Sequence, residues 1–204
     1  MHGLDLAPAG ASEVYGVPRA GRFGDQARAA GVRVRLLARH SLVLVQPMKG
    51  MQEATSAALD AAIGLRLPPV GRSATSGPLS LCWAGAGAWL TSGPSPDLAE
   101  RLSSALGDAA TVIDQGDGRC LFHVAGRDAR RTLEKGTTLD LHPRAFAAGY
   151  CAATIVSHLP ASIRQASDEP AYEVVVARSS AGSFWHWLVE SASEYGLELE
   201  PVDA

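Results

Sequence analysis

Two stretches of the chain carry the same succession of hydrophobic periods. That repetition limits the fold more than any single motif does. Between Val32 and Gly107 the order is strand, helix, two strands, helix; between Arg119 and Tyr195 it is strand, helix, strands, helix again. A period-two segment buries one face of a sheet and a period-3.6 segment buries one stripe of a helix, so each stretch must pack helices on a sheet. The expectation is an α+β protein of two β-α-β-β-α half-repeats, with mixed or antiparallel sheet and helices packed on it. An extended N-terminal arm would span 1–31, the first half 32–110, and the second 111–204 with a C-terminal aromatic helix. The repeat lies in element order, not in residue identity.

The segments are marked as follows. Val32 to Val45 reads as strand: Val34, Leu36 and Ala38 share a face that Leu42 and Leu44 continue, while Arg33, Arg35 and Arg39 point the other way. Met51 to Ile63 reads as a helix with Ala54, Ala58, Ala61, Ala62, Leu59 and Ile63 on its packed side. Leu67 to Pro78 reads as a loop, and Leu79–Trp83 and Ala88–Thr91 as strands turned at Gly85 and Gly87. Ser95 as N-cap, Pro96 at the first helical position and Gly107 past the end bracket a helix whose stripe is Leu98, Leu102, Ala105 and Leu106. Thr111–Asp114 and Arg119–Ala125 flank Gly116-Asp117-Gly118, a hairpin signal. Arg127–Lys135 is a short helix, Tyr150–His158, Ser162–Ala166 and Tyr172–Ala177 are strands, and Ser180–Tyr195 is the last helix. In the arm, Gly10, Gly16, Pro18, Gly21 and Gly24 break any period, which favours disorder over order on another surface.

Composition adds exclusions. With 204 residues, 47% hydrophobic and 19% charged, the chain can bury a core without disulfides or metal. A formal charge of −3 offers no basic face for phosphates, so neither nucleic acid nor an anionic membrane is expected as a partner. The longest nearly apolar run, Leu79 to Leu90, falls short of the roughly 20 residues of a spanning helix. The N-terminus lacks the apolar centre of a secretory signal. Cys82, Cys120 and Cys151 are widely spaced in apolar surroundings and read as small buried hydrophobes, in keeping with a cytoplasmic, reducing location.

No candidate catalytic, cofactor-binding or metal residue emerges. Gly85-Ala86-Gly87 is followed by a strand, not a helix, so it reads as a hairpin turn and not a dinucleotide loop. Cys120 and His123 lie three apart on a strand and face opposite sides, while His142, His158 and His186 stand in separate elements. Asp114 and Asp117 flank a turn, where Asp usually serves the backbone. The strongest local signal is Ser183-Phe184-Trp185-His186-Trp187-Leu188. Phe184, Trp187, Leu188 and Ala192 form one stripe, with Trp185 and Val189 on its flank. That is more apolar circumference than one buried stripe needs. Either this helix is buried on two sides in its own domain, which the sequence alone favours, or it presents aromatics to another chain.

Three stretches resemble one family. Asp140-Leu141-His142-Pro143-Arg144-Ala145-Phe146 resembles the DLHPRAF loop of the gamma subunit of heterotetrameric sarcosine oxidase, and Ser183–Leu188 resembles its SFWHWL helix. Ala88-Trp89-Leu90-Thr91, followed by Gly93-Pro94, resembles its EWLL…P strand and turn. They occur in order and cover roughly residues 32–196. Gly85-Ala86-Gly87-Ala88-Trp89 departs from the usual GPDEW turn and lacks its two acids.

The resemblance implies a fold like that of the folate-binding aminomethyltransferases, with ferredoxin-like halves. It also implies a complex of alpha, beta, gamma and delta subunits that oxidatively demethylates sarcosine to glycine, with hydrogen peroxide and methylenetetrahydrofolate as products. It places FAD and FMN chiefly on beta and its border with alpha, NAD and tetrahydrofolate on alpha, and zinc on delta. The gamma chain is then non-catalytic, holds no cofactor, and packs chiefly on alpha. His142, Arg144, Phe146, Phe184, Trp185 and Trp187 are the expected interface residues, or its support. The alternatives are a folate-binding aminomethyltransferase-like protein, with Asp114 or Asp117 as its carboxylate, and the gamma chain of a related N-methyl amine oxidase complex.

Overall fold

The computed structural model describes residues 16–201, apart from 19 and 28. Twelve strands and four α-helices alternate along these residues. Strand β1 is Gly21–Phe23, β2 Val32–Leu36, β3 Ser41–Pro47, β4 Ser73–Ser76, β5 Leu79–Gly85 and β6 Ala88–Gly93, with helix α1 at Gln52–Ile63 and α2 at Leu98–Leu106. Strand β7 is Ala110–Asp114, β8 Arg119–Ala125, β9 Cys151–Val156, β10 Leu159–Ser167, β11 Ala171–Ala177 and β12 Leu197–Leu199, with α3 at Ala129–Glu134 and α4 at Ala181–Ala192.

The strands form two sheets, a five-stranded one of order β4-β5-β6-β3-β7 and a seven-stranded one of order β1-β12-β2-β8-β11-β10-β9. All pairings are antiparallel except β12 with β2. Alternation along the strands builds four layers. Val43 and Val45 of β3 pack with Leu59 of α1 and Leu98, Leu102 and Leu106 of α2 on the outer face of the smaller sheet. Cys120, Phe122 and Val124 of β8 pack with Leu133 of α3 and Phe184 and Leu188 of α4 on the outer face of the larger one. Leu42 and Leu90 meet Leu121 and Val175 between the sheets. The result is helices, sheet, sheet, helices.

Several expectations change. Residues 32–45 are two strands in different sheets, not one. Leu42 and Leu44 do not continue the face of Val34 and Leu36; they point into the layer between the sheets. Both faces of β3 are covered, so alternation there carries no polar mark of where the chain turns. The glycines at 116 and 118 close a turn, with Gly118 N–H donating to the Gln115 carbonyl at 3.0 Å. Yet β7 pairs with β3 and β8 with β2 and β11, so that turn carries the chain from one sheet to the other and is no hairpin.

Smaller differences have local causes. The stretch read as loop at 67–78 holds β4, whose Ser-Ala-Thr-Ser sequence has no hydrophobic period. Helix α2 begins at Leu98, two residues past the expected first position. The Ser95 hydroxyl hydrogen-bonds the Asp97 carboxylate and not the helix backbone. Ala54 and Ala61 of α1 and Ala105 of α2 are exposed. Thr55 and Ser56 are buried instead, because Thr55 donates to the Ala109 carbonyl at 3.0 Å and Ser56 accepts from Leu67 N–H at 3.1 Å. The described part of the arm is ordered on the chain's own sheet: β1 pairs with β12, and Val17 and Phe23 enter the core. Residues 1–15 of that expectation lie outside the described residues.

Candidate functional site: a polar row between the sheets

Strand register places one polar side chain on each of five neighbouring strands. Arg35 on β2 is the cross-strand partner of His123 on β8, His123 of Glu173 on β11, Glu173 of Arg164 on β10, and Arg164 of Cys151 on β9. Leu121 and Val175, two residues along β8 and β11, belong to the layer between the sheets. The row therefore lies on the sheet-facing side.

Each member has a local solution. Arg164 and Glu173 form a bidentate pair, Nε to Oε2 at 3.1 Å and Nη2 to Oε1 at 2.6 Å, with side chains 9% and 18% exposed. Burial requires this closure, because either charge alone would be left unpaired. At the outer end Arg35 meets Glu200 at 3.5 Å. Between them, burial and then the Arg35 charge hold His123 below the ordinary histidine pKa, so it stands neutral among charges.

The inner end of the row crosses to the other sheet. Cys82 of β5 lies beside Cys151 in one cavity; the neighbouring Cys151 and burial raise the Cys82 pKa, and Cys82 lowers that of Cys151. Cys151 Sγ in turn donates to the Arg72 carbonyl at 2.9 Å. A cavity of about 20 Å3, lined by both thiols with Arg164, Glu173, Ser80 and Ser92, has room for roughly one water. Cys120 and Cys151 are buried, as expected of all three cysteines, and Cys82 is half-buried; Cys82 and Cys151 also sit beside an ion pair. At the outer end His123 lines an open hollow of about 490 Å3 with Arg33, Arg127 and Glu169.

The expected interface residues divide by burial. Phe184 is fully buried between Phe122 and Trp187, with ring centroids 4.9 and 5.7 Å away. Trp185 is 4% exposed and meets Phe23 edge-on at 5.2 Å. Phe146 is buried against Tyr150. These three are held inside the chain. Trp187 is half-buried, beside exposed Ile155 and His158 in a shallow hollow of about 460 Å3. His142 and Arg144 are exposed, and His142 Nδ1 accepts from Arg144 N–H at 3.2 Å, bracing the loop. Asp114 accepts from Gly116 N–H at 2.8 Å and Asp117 pairs with Arg178 at 2.9 Å, both of them turn contacts.

The polar row was not anticipated as a unit. Its signal is present: Arg35, Glu173 and Arg164 each interrupt an apolar strand, but pairing them needs the register. Among the described residues no three His, Cys, Asp or Glu side chains gather as a metal site. No described helix is long and apolar enough to cross a membrane.

Residues 49–194 match the sarcosine oxidase gamma subunit family. The chain belongs to this family. Within it, the chain is 32% identical to the sarcosine oxidase subunit gamma of Corynebacterium sp. strain P-1 over 146 residues, which is 70% of this chain and 71% of the relative. It is 30% identical to the subunit gamma of an Arthrobacter species over 171 residues, covering 82% of this chain and 83% of the relative. Among solved structures, the fold is similar to a chain of heterotetrameric sarcosine oxidase from Corynebacterium sp. U-96, with a TM-score of 0.74 at 26% identity over 85% of this chain and 88% of that one. It is also similar to the glycine cleavage system aminomethyltransferase of Bartonella henselae, with a TM-score of 0.59 at 15% identity, covering 84% of this chain and 48% of that one. That second likeness concerns the fold alone, and it agrees with the aminomethyltransferase-like architecture expected of the gamma-subunit family.

Proposed function

We propose that the chain is the gamma subunit of a heterotetrameric sarcosine oxidase and that it supports the complex without performing a reaction step of its own. Family membership, together with structural likeness over most of the chain to a subunit of such a complex, carries the reading. The assembly would oxidatively demethylate sarcosine to glycine, yielding hydrogen peroxide and, with tetrahydrofolate, the methylene derivative. Its FAD, FMN, NAD, zinc and folate would be held by the alpha, beta and delta subunits.

The site geometry supports a scaffolding role. Arg164 and Glu173 use their polar atoms on each other, and His123 is flanked by Arg35 and Glu173 and not by a nucleophile. A folate does not fit the space between the sheets, because about 20 Å3 is far below the several hundred a ligand of that size fills. Alpha would dock on the exposed loop residues His142 and Arg144 and on the half-buried Trp187, with Phe146, Phe184 and Trp185 as the packed base beneath them.

Co-expression with the genes of its partners tests this. The expected result is one yellow complex containing this chain and consuming oxygen when sarcosine is added. A complex that assembles and turns over sarcosine at full rate without the chain would overturn the reading. With Arg144 and Trp187 both changed to Ala, affinity for the partner should fall by about 2 kcal/mol or more, roughly thirtyfold, with the fold kept.

A further inference from the structure

The three thiols of the chain differ in their surroundings, and the difference has chemical content. Cys120 points into the helix-facing core, where burial pushes it up to about 11, so it stays a thiol at neutral pH. Cys82 and Cys151 belong to facing sheets and both line the same small cavity with the Arg164 guanidinium, and Cys151 Sγ lies 3.4 Å from the carbonyl of Trp83, the residue after Cys82. The backbone holds that approach: Cys151 N–H donates to the Gly71 carbonyl at 3.0 Å and Trp83 N–H to the Arg72 carbonyl at 3.1 Å. The cavity lies close to the surface. A surface hollow of about 290 Å3 at the β5–β6 turn shares Ala84, Leu90 and Ser162 with it.

We propose that Cys82 and Cys151 form a peroxide-reactive dithiol, which a small hydroperoxide oxidises to a disulfide tying the five-stranded sheet to the seven-stranded one. Cys151 is the attacking sulfur. Its pKa lies below the ordinary thiol value, with neighbouring Cys82 as the largest cause and the Arg164 and Arg72 charges adding to it, and ionisation gives up its contact to the Arg72 carbonyl. The thiolate attacks one peroxide oxygen: an S–O bond forms, the O–O bond breaks, and the departing hydroxide takes a proton to become water. Cys82 then attacks the Cys151 sulfenic acid: the S–S bond forms, the S–O bond breaks, and the hydroxyl leaves with the Cys82 proton as a second water. Two thiols lose two electrons, and one peroxide is reduced to two waters. With room for about one water, the cavity excludes bulky oxidants and leaves a molecule as small as hydrogen peroxide as the candidate that could reach the thiols with a slight widening. The chemistry rests on the thiols and their surroundings, not on the proposed assembly, in which hydrogen peroxide would arise beside the chain.

The test uses the full chain in whatever assembly it purifies with. Hydrogen peroxide is added in small molar excess, thiols are then alkylated in denaturant, and digested peptides are weighed. The expected result is a fall from three alkylatable thiols per chain to one, with Cys82 and Cys151 joined in a single cross-linked peptide that dithiothreitol separates. Cys120 should remain alkylatable. In C82S the reaction should stop at a Cys151 sulfenic acid that dimedone traps. In C151S, Cys82 should resist the same dose, thermal melting confirming that both variants fold. Three alkylatable thiols after peroxide in the wild-type chain would overturn the proposal, and so would loss of Cys120 as fast as the other two. Because peroxide is added and not generated, this result is independent of whether the chain assembles with sarcosine-oxidising partners.

Discussion

The two halves use one plan and fill it differently. In the smaller sheet β4, β5, β6 and β3 run in order and β7 closes beside β3; in the larger one β9, β10, β11 and β8 run in the same order. The place beside β8 is taken by β2, from the start of the chain, and β12 is pushed one position out, with β1 beyond it. The extra strands widen the second core, where Phe23, Phe122, Phe146, Tyr172, Phe184 and Trp185 are buried; in the first core the packing is aliphatic around Trp89. Repeated element order thus determines the central strand order. The additions decide which half holds more buried aromatic surface, and with it the burial that stabilises the chain.

Removing one aromatic from the wider core should have the largest effect. Phe184→Ala would cost about 3–5 kcal/mol, because the ring is fully buried between Phe122 and Trp187. Leu102→Ala, fully buried in the other half, should cost about 2–5 kcal/mol. Urea melts of both variants measure the contrast. If Leu102→Ala proves the more damaging, the second core is not the stronger one. Next comes the polar row: Glu173→Ala strands the Arg164 guanidinium and should cost about 3 kcal/mol, near the low end for a buried pair given its residual exposure. A double change of Arg164 and Glu173 to Met and Leu should recover much of that loss in the same melts. Gly136→Ala follows at about 1–3 kcal/mol, because the new methyl would lie 2.2 Å from the Trp187 ring.

These sites also show what was legible in the sequence. The alternation of periods sufficed for helices α1, α2 and α4 and for strands such as β8 and β11, where Cys120, Phe122 and Val124 mark one face. Sheet membership was not legible, because it depends on pairings between residues far apart. Val32–Leu36 and Ser41–Pro47 look continuous in sequence yet belong to different sheets. Likewise Gly116-Asp117-Gly118 has hairpin chemistry, but tertiary pairing separates the strands it joins. The aromatic helix was ambiguous until Phe184 and Trp185 were located inside the core and Trp187 at its edge. The meeting of Cys82 with Cys151 crosses 69 positions and two sheets, and no local signal could have shown it.

The polar row also makes the second half pH-sensitive in a defined direction. His123 has a lowered pKa in the folded chain, so the unfolded chain binds its proton more readily. Its contribution is fully present above the ordinary histidine value and is lost as pH falls below that value through the folded pKa. His123→Asn should flatten the fall in melting temperature between pH 7 and 5. An unchanged slope would assign the fall to carboxylates instead.

The smallest effect should come from the first half's own ion pairs, which sharpen the contrast with Arg164 and Glu173. Arg66 reaches Glu53 and lies 3.5 Å from Asp60, but its side chain is 49% exposed and that of Glu53 is 85% exposed. Water solvates these groups almost as well as they solvate each other, and salt screens what remains. Arg66→Ala should therefore cost about 0–1 kcal/mol, less at high salt. The same salt titration should leave the cost of Glu173→Ala nearly unchanged, because that pair lies between the sheets with side chains only 9% and 18% exposed. If the two costs respond to salt alike, then Arg164 and Glu173 are as solvated as the surface pair, and the inner layer is wetter than its packing indicates.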